Sequence, residues 1–389
     1  MELRQKYRLG EVINVLDSKR IPLSSKERES RRGNYPYYGA QGIIDYIDDY
    51  IFDGEYLLIA EDGENLKSQK QNIAQIARGK YWVNNHAHIL ESNGKCDIRY
   101  ICHLLNKMDI SGYITGSAQP KLNQANLCSI EVELPDIQEQ KRIAEFIGNF
   151  DDKIELNRQI NDNLEQQAQA LYKSWFIDFE PFNDGDFVES ELGLIPEGWK
   201  VVELGEVTKQ ITEKVKNRTD VKVLSPVTTG ELVLSEEYFT KQVFSESIAK
   251  YITVKPLQFA YNPARVNIGS LGMNTCEFDG CVSPVYVVFE CERDYQYFFD
   301  YFRKTEAFKE EVLARAIGGV RQSLSYKDFS LIKLIYPPRT IVEKFNRLYS
   351  NILVSINHNK IEANNLTDMR DTLLPKLMSG ELKINEIGC

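Results

Sequence analysis

The sequence predicts an α+β fold: two mixed α/β domains in a pseudo-twofold arrangement, joined by two long antiparallel coiled-coil helices. Three observations lead to this prediction. The chain has 389 residues, more than a single hydrophobic core normally serves. Its sequence repeats with a period of about 200 residues. Each half also ends in a long segment whose apolar positions recur every 3.5 residues, as in a coiled coil.

The repeat is clearest in two pairs of segments. Residues 116–122 (GSAQPKL) align with residues 318–324 (GGVRQSL), and residues 9–12 align with residues 204–207, both of which read LGEV. Only small length changes separate the two alignments. We therefore expect both halves to share one layout, with a period too long for a solenoid of short repeats.

Composition is that of a folded protein. Apolar residues make up 42% and charged residues 27% of the sequence, which excludes wholesale disorder. The chain has no apolar run long enough to span a membrane, and its first residues lack the apolar core of a signal peptide. We therefore expect a cytoplasmic protein whose seven scattered cysteines are reduced.

The net charge of −10 is concentrated in the middle of the chain. Residues 136–200 carry 15 acidic and 6 basic side chains, whereas the segments on either side are close to neutral. Both flanks can therefore present basic patches to a phosphate backbone, and the acidic centre suits a protein partner better.

Each half begins with a stretch of mixed character. Clusters of Tyr, Val, Ile and Phe, broken by Gly, Asn and Asp, predict short strands, for example at residues 56–60 and 282–289. Helical patterns lie between them, as at residues 295–313. The prediction for each half is an α+β domain rich in loops.

Each half then ends in a predicted long helix. Asp136 with Glu139, and Thr340 with Glu343, have the spacing of an N-cap and its capping-box partner. The predicted seam of the first helix consists of Ile143, Ile147, Phe150, Ile154, Asn157, Asn161, Leu164, Ala168, Leu171 and Trp175. The predicted seam of the second helix consists of Phe345, Tyr349, Ile352, Ile356, Asn359, Ala363, Leu366, Arg370, Leu373 and Leu377.

Both seams carry an asparagine near the middle, Asn157 in the first and Asn359 in the second. In an antiparallel pair these amides would meet near the pseudo-twofold axis and fix the register of the helices, at some cost in stability. The alternative is an amphipathic helix that lies on a globular core with Asn at its edge. The matched positions in both repeats favour the coiled coil.

The sequence offers little for catalysis and no metal site. It has no Gly-rich phosphate loop and no dinucleotide fingerprint. Residues 135–141 (PDIQEQK) contain the letters of a metal-dependent nuclease, but they would lie at the start of a helix, where capping explains the acidic pair. His86 and His88 have no partner at zinc-site spacing. Residues 261–264 (YNPA) lack the second Pro and the aromatic of an amino-methyltransferase signature.

Polar loops beside aromatic-rich strands are the candidate binding segments. Arg, Lys, Asn, Gln and Ser are the side chains that read base edges and hold phosphates, although any single such loop is also ordinary solvated surface. The loops recur in both halves, so we predict a DNA-binding protein. The candidate contacts are Arg31, Arg32, Asn34, Tyr37, Lys67, Lys70, Asn84, Asn85, His86, Ser117, Gln119 and Lys121 in the first half, and Lys216, Arg218, Asn262, Arg265, Asn267, Ser270, Arg315, Arg321, Gln322 and Ser323 in the second.

Together these segments resemble the specificity subunits of type I restriction–modification systems, over essentially the whole chain. Residues 116–122 and 134–179 are similar to the exit of the first target-recognition domain and to the central repeat of that family. Residues 194–199 (LIPEGW) resemble the entry to the second target-recognition domain in that family. Residues 82–88 (WVNNHAH) are also similar to a segment of family members.

The resemblance implies two target-recognition domains, residues 1–135 and 181–338, each reading one half of a bipartite site in double-stranded DNA. Residues 136–180 and 339–389 would be the helices that set the spacer between the half-sites and dock two modification (methyltransferase) subunits. The chain itself would have no catalytic residue and no cofactor. S-adenosylmethionine, ATP and Mg would be bound by the modification subunits and the restriction (translocase and endonuclease) subunits.

Two other classes of function remain open. An enzyme acting alone would need a catalytic cluster, and a coiled-coil scaffold without a DNA function would show no salt-dependent DNA binding. The chain also departs from the family pattern at two places. Residues 320–323 read VRQS where the first half has AQPK, which puts a DNA contact in doubt, and Arg370 interrupts the second seam, which predicts a weaker helix end.

Overall fold

The structure is a computed structural model of the chain that describes residues 4–116, 119–239, 244–245, 247–315 and 323–386. These residues form two compact units. The first comprises Met1–Gln159 with Asn359–Cys389, and the second comprises Ile160–His358. The boundaries predicted at residues 135, 180 and 338 follow the ends of the long helices and remain a proposal about functional modules.

The first unit is a mixed domain followed by a long helix that continues into the second unit. Its strands are Gln5–Arg8 (β1), Ile13–Val15 (β2), Arg32–Gly39 (β3), Gly42–Ile47 (β4), Phe52–Ala60 (β5), Ala74–Val83 (β6), Ala87–Ser92 (β7) and Glu131–Leu134 (β8). Its helices are Ser25–Ser30 (α1), Asn65–Ser68 (α2), Ile98–Lys107 (α3), Gln124–Ser129 (α4) and the long helix Ile137–Phe176 (α5).

A bent hairpin organises the sheet of the first unit, whose strand order is β2-β7-β5-β6-β3-β4. Gly54 of β5 and Gly79 of β6 lie opposite each other, with φ angles of 142° and 79° that favour glycine. The bend lets the end of β6 leave β5 and pair in parallel with β3, while β7 returns along β5. Strands β1 and β8 form a separate antiparallel pair.

The second unit begins within α5 and ends within a second long helix. Its strands are Phe187–Ser190 (β9), Gly193–Pro196 (β10), Lys200–Glu203 (β11), Thr208–Ile211 (β12), Lys222–Pro226 (β13), Leu232–Leu234 (β14), Ile252–Val254 (β15), Phe259–Tyr261 (β16), Leu271–Met273 (β17), Gly280–Val282 (β18), Val287–Cys291 (β19) and Lys333–Tyr336 (β20). Its helices are Leu204–Val207 (α6), Ser235–Tyr238 (α7), Gln296–Phe302 (α8), Glu306–Arg315 (α9), Tyr326–Phe329 (α10) and the long helix Arg339–Ser379 (α11).

The two units share one topology. The order β12-β19-β16-β17 matches β2-β7-β5-β6, and the antiparallel pair β11–β20 matches β1–β8. The parallel pair β13–β18 matches β3–β6. In the second unit the bent hairpin is divided, so that β15 with β18 forms one arm and β16 with β17 the other. The repeat seen in the sequence is therefore a repeat of topology.

Two predicted elements of the second half are interrupted. Residues 282–289 are not one strand, because β18 ends at Val282 and a loop containing Pro284, which cannot donate to a sheet, precedes β19. Residues 295–313 are two helices and not one. Thr305 caps the second of them by accepting a hydrogen bond from the Phe308 N–H at 3.3 Å.

The long helices run antiparallel within each unit. In the first unit Asp151 of α5 faces Arg370 of α11, and in the second unit Asn161 of α5 faces Ile356 of α11. Every predicted seam position is buried or half-buried, as a 3.5-residue repeat requires. The described residues contain no helix long and apolar enough to cross a membrane.

Each domain core includes residues from both long helices of its unit. Ile143 of α5 and Leu377 of α11 belong to the buried core of the first unit. In the second unit Tyr172 and Phe176 of α5 pack with Phe345 of α11, the two phenylalanine ring centroids 5.1 Å apart. The helices are therefore part of the folded domains and not separate rods.

The two helix starts differ from each other. Asp136 caps α5 as predicted, since its carboxylate accepts from the N–H of Gln138 at 2.9 Å and of Glu139 at 3.1 Å. The predicted cap at Thr340 is wrong. Helix α11 already begins at Arg339, because the carbonyl of Pro338 accepts the N–H groups of the first turn.

The prediction that Arg370 weakens the helix end stays a prediction, and the structure shows which contacts Arg370 makes. Its Nη1 lies 2.7 Å from the Asp151 carboxylate on α5, and its Nη2 lies 3.0 Å from Asp371. A half-buried ion pair thus takes the place of an apolar contact, and α11 continues to Ser379.

Asn157 meets the second helix in a different way from the prediction. Its side chain is buried, and its Nδ2 donates to the Glu362 carboxylate at 2.7 Å and to the backbone carbonyl of Asn359 at 3.5 Å. Its Oδ1 has no hydrogen-bond partner among the described residues. A buried oxygen without a partner costs free energy, so the proposed role of Asn157 in register carries a stability cost.

We predict that Asn157→Leu raises the stability of the chain by about 1 kcal/mol, because it removes this oxygen and fills an apolar seam. Thermal unfolding followed by circular dichroism measures the change. Asn149→Leu is the matched control, since Asn149 is exposed on the same helix and its replacement should leave stability nearly unchanged. A lower unfolding temperature for Asn157→Leu would contradict the assignment of Asn157 as a costly register residue.

Candidate nucleic-acid interface

Three of the predicted loops of the first unit converge at one end of the domain. They are the loop after β5 (residues 61–73), the loop between β6 and β7 (residues 84–86) and the segment before α4 (residues 119–122). Main-chain hydrogen bonds join them: Glu61 N–H to the His86 carbonyl at 2.9 Å, and Leu122 N–H to the Glu61 carbonyl at 2.8 Å. This end therefore collects predicted contacts from all three segments, namely Lys67, Lys70, Asn84, Asn85, His86, Gln119 and Lys121.

A buried ionic network lies at the junction of these loops, centred on His88. The Nδ1 of His88 is 2.5 Å from the Asp17 carboxylate, and its Nε2 is 2.7 Å from the carbonyl of Leu122. The ring is therefore held between a carboxylate on one side and a main-chain carbonyl on the other. Arg20 joins the network through Glu61 at 2.8 Å.

The same network accounts for the one group of potential metal ligands in the described residues. Asp17, Glu61 and His88 offer ligand atoms within 4.8 Å of one another. Arg20 lies 3.3 Å from Asp17, and Lys121 lies 3.1 Å from Glu61. Because these cations balance the carboxylates and both nitrogens of His88 are hydrogen-bonded, we assign the group to ion pairing.

The surroundings favour the charged form of both carboxylates. Burial opposes the ionisation of Asp17, but hydrogen bonds from His88 and the Ile89 N–H outweigh it and hold the pKa of Asp17 below its ordinary value. Burial also opposes the ionisation of Glu61, and hydrogen bonds from Arg20 and Lys121 outweigh it, so that the pKa of Glu61 is lowered as well.

Several predicted contacts of the first half have structural roles. Tyr37 is fully buried, and its hydroxyl accepts from the Leu23 N–H at 2.9 Å, so this prediction is corrected to a core residue. Arg31 pairs with Asp48 at 2.9 Å and lies over the Trp82 ring. Asn84 is buried, and its Oδ1 accepts from the His86 N–H, which shapes the loop and leaves little of the side chain for a ligand.

The other first-half predictions are exposed or lie outside the described residues. Arg32 and Asn34 are exposed at the start of β3, away from Tyr38, whose carbonyl accepts from the Asn84 N–H at the end of that strand. Lys67 donates to the carbonyl of Gly116 at 3.1 Å and so links two of the loops. Ser117 lies outside the described residues.

The second unit repeats the same arrangement. The loop between β16 and β17 (residues 262–270) contains Asn262, Arg265 and Asn267. The segment before α10 contacts this loop, because the Leu324 N–H donates to the carbonyl of Pro263 at 3.1 Å. Ser323 is exposed beside Leu324. Arg321 and Gln322 lie outside the described residues.

The remaining predicted contacts of the second half lie outside this loop cluster or are held by hydrogen bonds and ion pairs within the unit. Ser270 is 1% exposed and donates to the carbonyl of Pro226, so it is corrected to a structural residue. Lys216 and Arg218 lie on a loop next to β15, where Arg218 pairs with Asp220 at 2.6 Å and with Asp279 at 2.8 Å. Arg315 pairs with Glu311 at 2.7 Å.

Sequence reasoning missed the loop at residues 283–286. It connects β18 to β19, as residues 84–86 connect β6 to β7, and it was hidden inside the strand predicted at 282–289. Pro284 was the signal that could have revealed it, because a proline rarely occurs within a central strand.

Ion pairing separates the predicted basic contacts into two groups. Among the described residues, Arg32, Lys70, Lys216 and Arg265 are exposed and make no ion pair. Arg31, Lys121, Arg218 and Arg315 are held by carboxylates of their own unit. The first group can approach phosphates or bases without breaking an internal contact.

We predict that Asp17→Asn destabilises the first unit by about 3 kcal/mol at neutral pH, because it removes the carboxylate that pairs with Arg20 and accepts the Ile89 N–H inside a buried network. Chemical unfolding at several pH values measures the loss. A carboxyl whose pKa is lowered by folding stabilises the protein above its unfolded-state pKa of about 4, and this contribution disappears as the pH falls through the folded value. The difference between wild type and variant should therefore shrink below about pH 4.

The matched control for this prediction is Asp49→Asn. Asp49 is exposed and lies 3.6 Å from Arg31, so its replacement should cost less than about 1 kcal/mol. Equal effects of the two substitutions at neutral pH would show that the buried network adds nothing beyond a surface ion pair.

Comparisons with known proteins agree on one family. Residues 1–166 match the model of the type I restriction modification DNA specificity domain. The type I restriction enzyme MjaIX specificity subunit of Methanocaldococcus jannaschii is 27% identical over 94% of this chain and 90% of its own length. The type I restriction enzyme HindI specificity subunit of Haemophilus influenzae is 23% identical over 68% of this chain and 71% of its own.

One crystal structure has the same fold over the whole chain. It is that of the S subunit of a type I restriction–modification system from M. genitalium, with a TM-score of 0.62 and 14% sequence identity, covering 97% of this chain and 96% of that one. With the shared topology of the two units, this match establishes the fold. Residues 1–166 of this chain therefore match the DNA specificity domain of type I restriction–modification systems, and the chain is similar over nearly its whole length to specificity subunits of these systems.

Proposed function

We propose that this chain is the sequence-specific DNA-binding subunit of a type I restriction–modification complex, and that each domain reads one half of a bipartite site. The observation that carries the proposal is the repeated loop cluster. In the first unit the loop after β5, the loop between β6 and β7 and the segment before α4 meet at one end of the domain. In the second unit the loop between β16 and β17 contacts the segment before α10 and shares a cleft with the loop between β18 and β19. Two similar readers in one chain suit two half-sites of different sequence.

The chemistry of the loops supports contact with DNA. Lys70 in the first unit and Arg265 in the second are exposed cations without an ion pair among the described residues. Asn85, His86 and Gln119 are exposed on the converging loops and offer donors and acceptors that read base edges, and the Nδ1 of His86 lies 2.7 Å from the Asp62 carboxylate. We therefore assign phosphate contacts to the cations and base contacts to the neighbouring polar side chains.

We further propose that α5 and α11 set the spacer between the half-sites and dock two modification subunits. Apolar side chains outside the seam support a protein partner: Val354 is 69% exposed and Ile361 is 54% exposed on α11. The acidic segment after α5 is also exposed, for example at Asp184 and Glu189. Carboxylates there would repel a phosphate track, so this surface suits a protein.

In this proposal the chain contributes no catalytic group, and S-adenosylmethionine, ATP and Mg are bound by the modification and restriction subunits. In the nuclease-like segment Asp136 caps α5, and Glu139 pairs with Arg142 at 2.6 Å. Asn262, in the methyltransferase-like segment, accepts the Ala264 N–H in a turn. Both segments thus have structural roles.

The direct test is a map of methylated adenines. The chain is co-expressed with its modification subunits in a host without adenine methylation, and the genome is sequenced by a single-molecule method that detects methyl-adenine. We expect methylation within one motif of two specific halves separated by unspecified bases. A continuous motif, or methylation by the chain alone, would contradict the proposal.

We predict that Lys70→Ala weakens binding of the complex to DNA about equally for all sequences. Loss of one phosphate contact should lower the slope of log affinity against log salt by about 1. Titrations at several salt concentrations measure this slope. Lys95→Ala is the matched control, since Lys95 is also exposed but follows the opposite end of β7 from the loop at residues 84–86. Equal slopes for both variants would remove Lys70 from the interface.

A further inference from the structure

The loop at residues 283–286 points to a base-reading site that sequence reasoning did not find. We propose that Val285 contacts the methyl group of a thymine, and that Arg265 contacts a guanine, in the half-site read by the second unit. This inference rests on the proposed function and adds to it the two side chains and the base chemistry of one half-site.

The first argument is topological. Strand β18 is parallel to β13, as β6 is parallel to β3, and β19 then pairs with β16, as β7 pairs with β5. Residues 283–286 therefore occupy the position that residues 84–86 occupy in the first unit, among the three converging loops. If the first loop faces DNA, the same position in the second unit faces DNA as well.

The second argument is the exposure of Val285. It is 70% exposed, more than any other large apolar side chain in the described part of the chain. The Tyr286 N–H donates to the carbonyl of Ser283 at 3.0 Å, which closes a turn around Val285, and Pro284 restricts the backbone. A rigid turn thus presents an apolar tip that stabilises nothing within the unit. Apolar contact with the thymine methyl is the major-groove interaction that such a side chain can make.

The third argument concerns Arg265, on the neighbouring loop. Its backbone is fixed, because its N–H donates to the carbonyl of Asn262 and its carbonyl accepts from the N–H groups of Ile268 and Ser270. Its side chain is exposed and makes no ion pair within the described residues. An arginine held at the main chain but unpaired at the guanidinium is ready for a bidentate contact with guanine O6 and N7.

A cleft connects the two loops. It has a volume of about 300 Å³, and its lining includes Arg265, Asn262, Ser283, Tyr286 and Tyr238. Hydroxyl, amide and guanidinium groups next to aromatic rings match the polar edges and flat faces of bases. The cleft thus places the arginine and the turn that carries Val285 at one surface.

The two units differ in the chemistry of this shared position. The first unit carries Asn84, Asn85 and His86, which form hydrogen bonds, whereas the second carries Pro284, Val285 and Tyr286. The two half-sites should therefore differ in the type of base contact that is made at this position. A required thymine methyl belongs to the half-site of the second unit.

Arg265 is tested by the methylation map of the complex carrying Arg265→Ala. We expect discrimination at one guanine position of one half-site to fall by about 10- to 100-fold, while the other half-site is unchanged. Arg293→Ala is the control, because Arg293 is exposed in the same unit beyond the far end of β19, about 17 Å from the loop. An unchanged motif for Arg265→Ala, or the same loss for both variants, would overturn this assignment.

Val285 is tested with the complex and DNA duplexes in which one thymine at a time is replaced by uracil, which removes only the methyl group. Wild type should lose affinity several-fold at one position of the second half-site, and Val285→Ala should be insensitive to that replacement. Replacements in the first half-site should affect both proteins equally. A second half-site without a methyl-sensitive thymine, or equal sensitivity of both proteins there, would overturn the assignment. If the wild-type complex recognises no bipartite site, the proposed function fails instead.

Discussion

The apolar seam between α5 and α11 is the constraint on which the rest of this structure depends. Each mixed domain buries residues of both helices in its own core: Ile143 and Leu377 in the first unit, Tyr172 and Phe345 in the second. Each compact unit therefore includes one part of each long helix. A rigid connection between reading domains and helices is what a molecule needs if it is to measure the separation of two half-sites.

Duplication followed by divergence accounts for both the likeness and the difference of the two proposed reading surfaces. The same strand order places three loops together in each unit, but the loops diverge where they face outward. In the first unit the ionic network of His88, Asp17 and Glu61 lies at the junction of the loops. In the second unit the bent hairpin is divided, and a cleft with aromatic walls lies between the loops. One architecture thus carries two chemistries, which is the property that a reader of an asymmetric site requires.

The sequence predicted the helices well and the site in part. The seam was predictable because burial along a helix repeats every 3.5 residues and leaves a local signal, even through the polar positions Asn157 and Arg370. The roles of Tyr37 and Arg31 were not predictable, because their partners Leu23 and Asp48 lie in other segments of the sequence. Arg218 pairs with its neighbour Asp220 and with Asp279, and only the second partner is distant in sequence. The loop around Val285 was missed for the opposite reason, since its apolar residues continue the pattern of the flanking strands.

The central claim is that the helices set the distance between the half-sites, and lengthening them tests it most directly. One heptad inserted after Leu164 and one after Leu366 keep the seam in register and add about 10 Å of helix. B-DNA rises about 3.4 Å per base pair, so the account predicts the same two half-sites with a spacer about three base pairs longer, to within the base pair needed to restore their rotation. The measurement is methylation of a plasmid library that contains every spacer length. Methylation that stays at the original spacer would contradict the account, because the reading domains would then have to be attached flexibly to the helices.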